Sequence, residues 1–265
     1  MPSVSTQALE QWRQMAQQRA IAAGVAPAEV DWLLQELAGL DRLSLRLPEA
    51  IEFPLALSEL DALLQRRIVD RVPVQYLAEA TPWRQFRLQV SPAVLIPRPE
   101  TELLIDLAVA AAKSANLANG DWADLGTGSG AIAIGLAAAL PDVTIHAVDV
   151  SAEALAIAQV NAMALQFDSR IRFYQGRWFE PLAAWQKRLG AMVSNPPYIP
   201  TAMLADLQPE VRQHEPTLAL DGGADGLAAI RHLVAVAPSY LRSNGLWLIE
   251  MMAGQAEAVR DLLQQ

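Results

Sequence analysis

From Gly120 onward, short apolar runs of strand length alternate with helix-length segments, and this alternation restricts the possible folds more than any other feature of the chain. Residues 122–125, 144–150, 171–174, 191–194 and 246–249 read as five strands. Between them lie an apolar helix over 131–140, ended by Pro141-Asp142, and a helix capped by Ser151 that carries Leu155, Ile157, Ala158 and Val160. Strands that alternate with helices form a parallel sheet covered on both faces, so the expected class is α/β with a doubly wound sheet.

The first third of the chain follows a different pattern. Pro27-Ala28-Glu29 opens a segment with Val30, Leu33, Leu34 and Leu37 on one face, and Gly39 stops it. Ser58 precedes a second expected helix, with Asp61 three residues on and an apolar stripe of Leu60, Leu63, Leu64 and Ile68. Arg66, Arg67 and Arg71 lie along the same segment and read either as a solvated face or as a contact surface for a macromolecular partner. Phe86, Leu88 and Val90 then alternate with polar residues, as in a half-buried strand. The expected organisation is a small helical domain over 1–73, a connecting hairpin over 74–95 and a larger domain over 96–265.

Bulk properties narrow the function classes. With 52% hydrophobic residues, 265 residues can fill a sizeable core. A net charge of -9 argues against a protein that grips bare nucleic acid by neutralising phosphates. The chain has no cysteine, which excludes disulfides and thiolate metal sites. His146, His214 and His232 are scattered, and no metal is expected. The amino-terminal residues lack a basic start followed by an apolar run, and the longest apolar stretch, 131–140, is far short of the roughly 20 residues a membrane helix needs. The expectation is a soluble, cytoplasmic protein without membrane contact.

Two motifs carry the chemistry. Asp124-Leu125-Gly126-Thr127-Gly128-Ser129-Gly130 sits at a strand-to-helix turn, where glycines allow close approach of backbone to a ligand. About 20 residues on, the second strand ends in Asp149, a carboxylate placed to take the hydroxyls of a ribose. The glycines alternate instead of following GxGxxG spacing, and this suits S-adenosylmethionine, which has no pyrophosphate. The second motif is Asn195-Pro196-Pro197-Tyr198 at the end of the fourth strand. Its plain alternative is a proline-rich strand exit. The chemical reading is methyl transfer to a planar NH2 group, whose delocalised lone pair must be aimed at an electrophile. Asn195 accepts one N–H through its side-chain oxygen, the Pro196 carbonyl accepts the other, and Tyr198 covers the flat face. The two prolines pre-set the loop. Trp178 and Phe179, after the third strand, are suited either to the adenine ring or to the core.

Together these residues resemble the HemK family, the glutamine methyltransferases that act on peptide-chain release factors. The similarity runs along nearly the whole chain. It takes in Val74-Gln75-Tyr76-Leu77, Ile96-Pro97-Arg98-Pro99-Glu100-Thr101-Glu102, the 124–130 turn, Asp149, Trp178-Phe179, the 194–199 segment, Glu215-Pro216, Asp221-Gly222-Gly223 and Asp225-Gly226-Leu227. The resemblance implies an S-adenosylmethionine-dependent methyltransferase sheet behind a helical domain that helps dock the protein substrate. It also implies that Gly126, Thr127, Gly128, Ser129, Gly130, Asp149, Trp178 and Asn195 contact the cofactor. Asn195, Pro196, Pro197 and Tyr198 would hold the glutamine of a Gly-Gly-Gln loop, with Asn195, Pro196 and Tyr198 catalytic. The implied partner is a release factor, with no direct nucleic-acid contact, and the chain is expected to act as a monomer.

Three departures from the family pattern stand out. Glycines usual near Glu79 and Gln85 are absent, so the hairpin is expected to bend differently. Arg177 precedes Trp178 where an acidic residue is common. The chain stops at Gln265 in what reads as a helix, whereas relatives continue through two further strands. On that reading the last strand is an apolar edge, an aggregation liability, and stability is expected to be poor. Rival functions are a glutamine methyltransferase of a ribosomal protein, an adenine-N6 methyltransferase of nucleic acid, and a binding module that keeps the cofactor pocket without turnover.

Overall fold

The structure, a computed structural model, describes residues 3–39, 50–52 and 54–264. Two compact units emerge, one made of Met1–Ala80 with Pro209–His214, the other of Thr81–Gln208 with Glu215–Gln265. The chain begins with β1 (Ser3–Ser5), α1 (Thr6–Ala22), α2 (Ala28–Ala38), β2 (Ala50–Glu52), α3 (Leu57–Ile68) and the single turn α4 (Val74–Leu77). There follow β3 (Ala80–Trp83), β4 (Phe86–Gln89), α5 (Glu102–Ser114), β5 (Asn119–Leu125), α6 (Ala131–Ala139), β6 (Asp142–Asp149), α7 (Ala152–Ala164), β7 (Ile171–Gln175) and β8 (Leu189–Ser194). Last come α8 (Pro209–His214), α9 (Ala228–Val236), β9 (Leu241–Ile249) and α10 (Ala256–Leu263); Gln265, where a continuing helix was expected, lies outside the described residues. No described helix is long and apolar enough to cross a membrane.

In the first unit, Leu9, Trp12, Ala16 and Ala20 of α1 meet Val30 and Leu34 of α2 and Leu60 and Leu64 of α3 in one apolar core. The Ser5 hydroxyl accepts the Ala8 N–H at 3.2 Å and starts α1, while Gly39, with φ at 65°, ends α2 as its position predicts. Helix α3 begins at Leu57 with Ala56 in the cap position, two residues before the expected cap at Ser58. Its cap is the Glu59 carboxylate, which accepts the Ala56 N–H at 2.6 Å and so satisfies a donor at the helix start. The antiparallel ribbon of β1 with β2 is too short to show a strand pattern and was not foreseen. The expected hairpin over 74–95 is a helical turn followed by β3 and β4. Glu79 and Arg84 take left-handed φ values of 52° and 51°, at or beside the positions where glycine was expected. At Arg84 the conformation is held by Glu102, whose carboxylate accepts the Arg84 N–H at 2.9 Å.

The three arginines do not form a common solvated face. Arg66 is exposed, but Arg67 is buried, with its guanidinium between two carboxylates. Nε and Nη2 of Arg67 donate to Glu29 at 2.6 and 3.0 Å, and Nη1 donates to Glu210 of α8 at 2.8 Å. Arg71 pairs with the same Glu210 and donates to the Ala23 carbonyl at 3.1 Å. Arginine suits this role because its planar fork meets two partners at once.

In the second unit, β5 to β9 form one sheet in the order β7-β6-β5-β8-β9, with every neighbouring pair parallel. One face carries Trp122, Ile145, Ala147, Ala191 and Val193 against Leu104 and Ile105 of α5 and Ile132, Ile134 and Leu136 of α6. The other presents Ala123, Leu125, Val148 and Met192 to Phe179, Leu182, Leu233 and Tyr240. Adjacent residues of β5 thus serve opposite cores, as a pleated strand requires. Among the described residues β9 is an edge of the sheet.

Replacing Arg67 by Ala removes the guanidinium from Glu29 and leaves Glu210 with Arg71 alone, and should cost about 3 kcal/mol in urea unfolding. Burial works against the Glu210 carboxylate, but its backbone hydrogen bond and the Arg67 and Arg71 guanidinium groups hold its pKa below the ordinary 4.5. A depressed carboxyl contributes stability above the ordinary value and loses it as pH falls through the lowered one, so the Arg67→Ala variant should show a shallower acid limb than the parent.

Candidate active site

Strand order reverses between β5 and β8, and in open parallel sheets the crevice beyond the carboxyl ends at such a point is where ligands bind. A cleft of about 820 Å³ lies there, within the second unit. From the expected set it is lined by Gly126, Thr127, Gly128, Ser129, Asp149, Trp178, Asn195 and Pro197, whereas Gly130, Pro196 and Tyr198 lie outside the lining. Arg98 and Thr101 of the segment before α5, the 216–219 segment and His232 complete part of its wall.

The turn after β5 is built from glycines at φ 80°, 54° and 83° for Gly126, Gly128 and Gly130, values that side-chain-bearing residues rarely adopt. Gly126 N–H and Thr127 N–H both donate to the Val148 carbonyl at 2.9 Å, so the turn is tied to the end of β6. Gly130 lets α7 approach, since a Cβ there would stand 3.1 Å from that of Ala158. Asp124 holds the turn from beneath. Its Oδ2 accepts from the Thr127 hydroxyl at 2.6 Å and from the Ala133 N–H at 3.1 Å, while Oδ1 is buried without a partner among the described residues. Burial lifts this carboxyl to about 7 against the pull of those two hydrogen bonds.

Asp149 ends β6 and accepts the Gly128 N–H at 2.8 Å and the Ser151 N–H at 2.9 Å, one on each oxygen. Each oxygen retains acceptor capacity toward the cleft. Trp178, at φ 53°, sets its ring against Gly126, where an added Cβ would stand 3.3 Å from the ring. Its Nε1–H is buried without a partner among the described residues, leaving a donor at a ligand-sized cleft. Phe179 is a core residue, stacked on Tyr240 at 4.6 Å between ring centres.

Asn195 follows β8, the most buried strand of the sheet, and its Nδ2 donates to the Thr101 hydroxyl at 3.2 Å. Neither Asn195 Oδ1 nor the Pro196 carbonyl meets a protein donor among the described residues. The Tyr198 ring packs beside Leu227, Ile230 and Val259, and its hydroxyl donates to Glu250 at 3.1 Å. Burial, with the Glu250 charge adding to it, raises the phenol to about 12, so it is a neutral donor at any ordinary pH. The Tyr198 carbonyl accepts from Gln255 Nε2 at 3.0 Å, and the chain beyond it bonds to the 220–223 segment through Ile199, Gly222 and Thr201. The motif is thus clamped at its far end and open at its near end.

Sequence reasoning missed Asn161. Buried on α7, it donates through Nδ2 to the Gln89 and Ser129 carbonyls, both at 2.9 Å, and accepts the Gln89 N–H at 2.6 Å. A polar amide between Ala158 and Ala162 on the buried side of a helix was the available signal. Arg98 and Glu215 were noticed only as motif members. Nη2 of Arg98 reaches both Glu215 oxygens at 2.7 and 2.8 Å, and the Glu215 side chain is almost wholly buried.

Two outcomes follow from this geometry. Gly226 has φ at 77°, and a Cβ there would run into the Tyr198 carbonyl oxygen and stand 2.6 Å from Gln255 Nε2. Gly226→Ala should therefore lower stability in urea unfolding by about 2–4 kcal/mol, through strain and displacement of the clamp. A carboxyl raised from 3.8 to about 7 takes up a proton on folding between those values, so Asp124's share of stability falls as pH rises through that interval. Asp124→Asn removes this dependence, and its stability relative to the parent should rise between pH 4 and pH 7 in paired unfolding curves.

Residues 101–207 match the methyltransferase small domain family. The release factor glutamine methyltransferase of Synechocystis sp. is 50% identical to this chain, over 98% of this chain and 89% of that protein. That of Thermosynechococcus vestitus is 47% identical, over 98% and 90%. Among solved structures, the hMettl16 catalytic domain in complex with the MAT2A 3'UTR hairpin 1 shares the fold, with a TM-score of 0.53 at 12% identity over 78% of this chain and 71% of that one. Similarity at these levels, over nearly the whole length, places the chain in the release factor glutamine methyltransferase family.

Proposed function

We propose that this protein methylates the side-chain nitrogen of the glutamine in the Gly-Gly-Gln motif of class I peptide-chain release factors, with S-adenosylmethionine as the methyl donor. The observation that carries the reading is the pair of acceptors at the end of β8, Asn195 Oδ1 and the Pro196 carbonyl, which meet no protein donor among the described residues, with Asn195 lining the same cleft as the glycine turn and Asp149. A carboxamide NH2 brings two N–H donors to two acceptors.

The residues present fit the donor. The glycine turn over 126–129 would let the donor come close to the backbone, Asp149 would offer acceptors for ribose hydroxyls, and Trp178 a flat ring with an Nε1–H that has no partner among the described residues. When bound, S-adenosylmethionine supplies a methyl group on a sulfonium. The chain's own contribution is orientation. With both N–H bonds held, the amide plane is fixed and the nitrogen lone pair has one direction in which to react. As positive charge develops on that nitrogen, both acceptors strengthen their hold, which favours the transition state over the ground state. No base is needed beforehand, because the N–H becomes acidic only as the new bond forms. Pro197 lines the cleft, while Tyr198 acts from behind by anchoring the loop through Glu250.

The helical unit is proposed to contact the body of the release factor, with the chain acting as a monomer in the cytoplasm and without direct nucleic-acid contact. A protein substrate suits an acidic chain better than a phosphate backbone does.

The expected outcome for Asn195→Ala is affinity for S-adenosylmethionine within about tenfold of the parent and loss of most turnover. Binding calorimetry and labelled methyl transfer to a purified release factor measure the two, and mass spectrometry locates the label. Near-normal methylation by the variant, or label on a residue other than the Gly-Gly-Gln glutamine, would overturn the assignment.

A further inference from the structure

We infer that Arg98 is a cofactor-binding residue that receives the α-carboxylate of S-adenosylmethionine. This rests on the function proposed above, in which that molecule supplies the methyl group. Its sulfonium carries three arms. Asp149 at the end of β6 and the flat ring of Trp178 suit the nucleoside, and the acceptors after β8 draw the reacting amide to the methyl. The third arm is an amino acid. Its carboxylate gives up water on entering the cleft and needs strong N–H donors in return.

Among the described residues that line the cleft, three side chains can carry positive charge: Arg98, Arg177 and His232. Two of them stand with Trp178. Arg177 precedes it in the chain, and His232 lies on α9, whose Leu233 belongs to the core against which Trp178 packs. Arg98 stands on the other side of the sheet. Its carbonyl receives Trp83 Nε1–H at 3.0 Å, and Trp83 shares a core with Ile132 of α6. Ala131 and Ile132, the first residues of α6, also line the cleft. The first amides of a helix have no acceptor within it, and that end favours negative charge. Guanidinium and helix end thus call for the same kind of group, an anion.

Arg98 has donors to spare. A guanidinium has five N–H groups and no acceptor, so the direction of its hydrogen bonds is fixed. Nη2 donates to both oxygens of Glu215, whose side chain is only 2% exposed. Nε and Nη1 have no partner among the described residues and are not among its buried unpartnered atoms, and 34% of the side chain is exposed. Glu215 therefore fixes the guanidinium and leaves the rest of its donors for a ligand. That one arginine can serve two carboxylates is shown by Arg67, which gives Nε and Nη2 to Glu29 and Nη1 to Glu210. In Arg98 the second carboxylate would come from the cofactor.

Binding calorimetry with S-adenosylmethionine and with its decarboxylated form tests the contact without turnover. The parent should bind the carboxylated form at least about tenfold more tightly. Arg98→Met combined with Glu215→Gln removes the guanidinium without stranding a buried carboxylate, and should bind the two forms within about twofold of each other. Glu215→Gln alone should keep the parent's preference. General damage to the cleft weakens both ligands together and leaves their ratio intact, so the ratio separates a contact from a folding defect. Should the double variant fail to fold, Arg98→Lys, whose single ammonium is taken by Glu215, should lose most of the preference. Equal affinity of the parent for the two forms, or a preference that survives removal of the guanidinium, would overturn the inference. So would variants with the parent's affinities and a raised KM for the release factor, since Arg98 would then serve the protein substrate. Methyl transfer to glutamine without discrimination between the two forms defeats only the Arg98 contact. Discrimination without methyl transfer defeats the proposed function and leaves the contact standing.

Discussion

Parallel pairing of β5 with both β6 and β8 is the constraint on which the second unit depends. Because the chain runs from β5 outward to β7 on one side and then returns to add β8 and β9 on the other, two loops part from each other above the sheet. One is the glycine turn and the other is Asn195–Tyr198. No side chain has to excavate the cleft between them. It is left by topology, and the residues at the strand ends need only shape it.

That shaping is done by polar groups with few alternatives. Asp124 ties the Thr127 hydroxyl to the start of α6, Asp149 ties Gly128 to Ser151, and Asn161 ties Ser129 to β4. Buried polar atoms of this kind are costly when unpaired, so each pairing also excludes competing loop conformations. Trp178 Nε1 is buried without a partner among the described residues, and Asn195 Oδ1 and the Pro196 carbonyl meet no protein donor among them; these are the kinds of group a bound donor and a bound amide would satisfy. A buried Asp124 with a raised pKa shows the same economy, since the position tolerates an awkward carboxyl to keep the turn in place.

Much of this was legible beforehand, and what was not shares one cause. The five central strands were read from apolar runs, though their ends lay up to five residues beyond the apolar stretch, as in β9, where Leu241 pairs with Leu189 and the register shifts before Leu246. Local capping chemistry correctly marked Gly39 and Ser151, but missed Glu59 because the acceptor sits inside the helix that it caps. Arg67 could not be read as buried, because its partners are 38 residues before it and 143 residues after it. Of the motif Asn195-Pro196-Pro197-Tyr198, the residue types were legible, but the hydrogen bond from the Tyr198 hydroxyl to Glu250, 52 residues away, was not.

What the amino-acid sequence determined by itself is whatever depends on near neighbours. This covers the period of each strand and helix, the left-handed glycines of the turn, the stiff proline pair, and the residue types able to accept two N–H bonds. The family follows from those same motifs. What only the tertiary structure decided is which way polar groups face. The orientation of the Asn195 carboxamide toward Thr101, the Arg98–Glu215 lock and the anchoring of Tyr198 all join segments far apart in the chain. A hydrogen bond depends on distance and direction in space, and neither is written in a local pattern of residues.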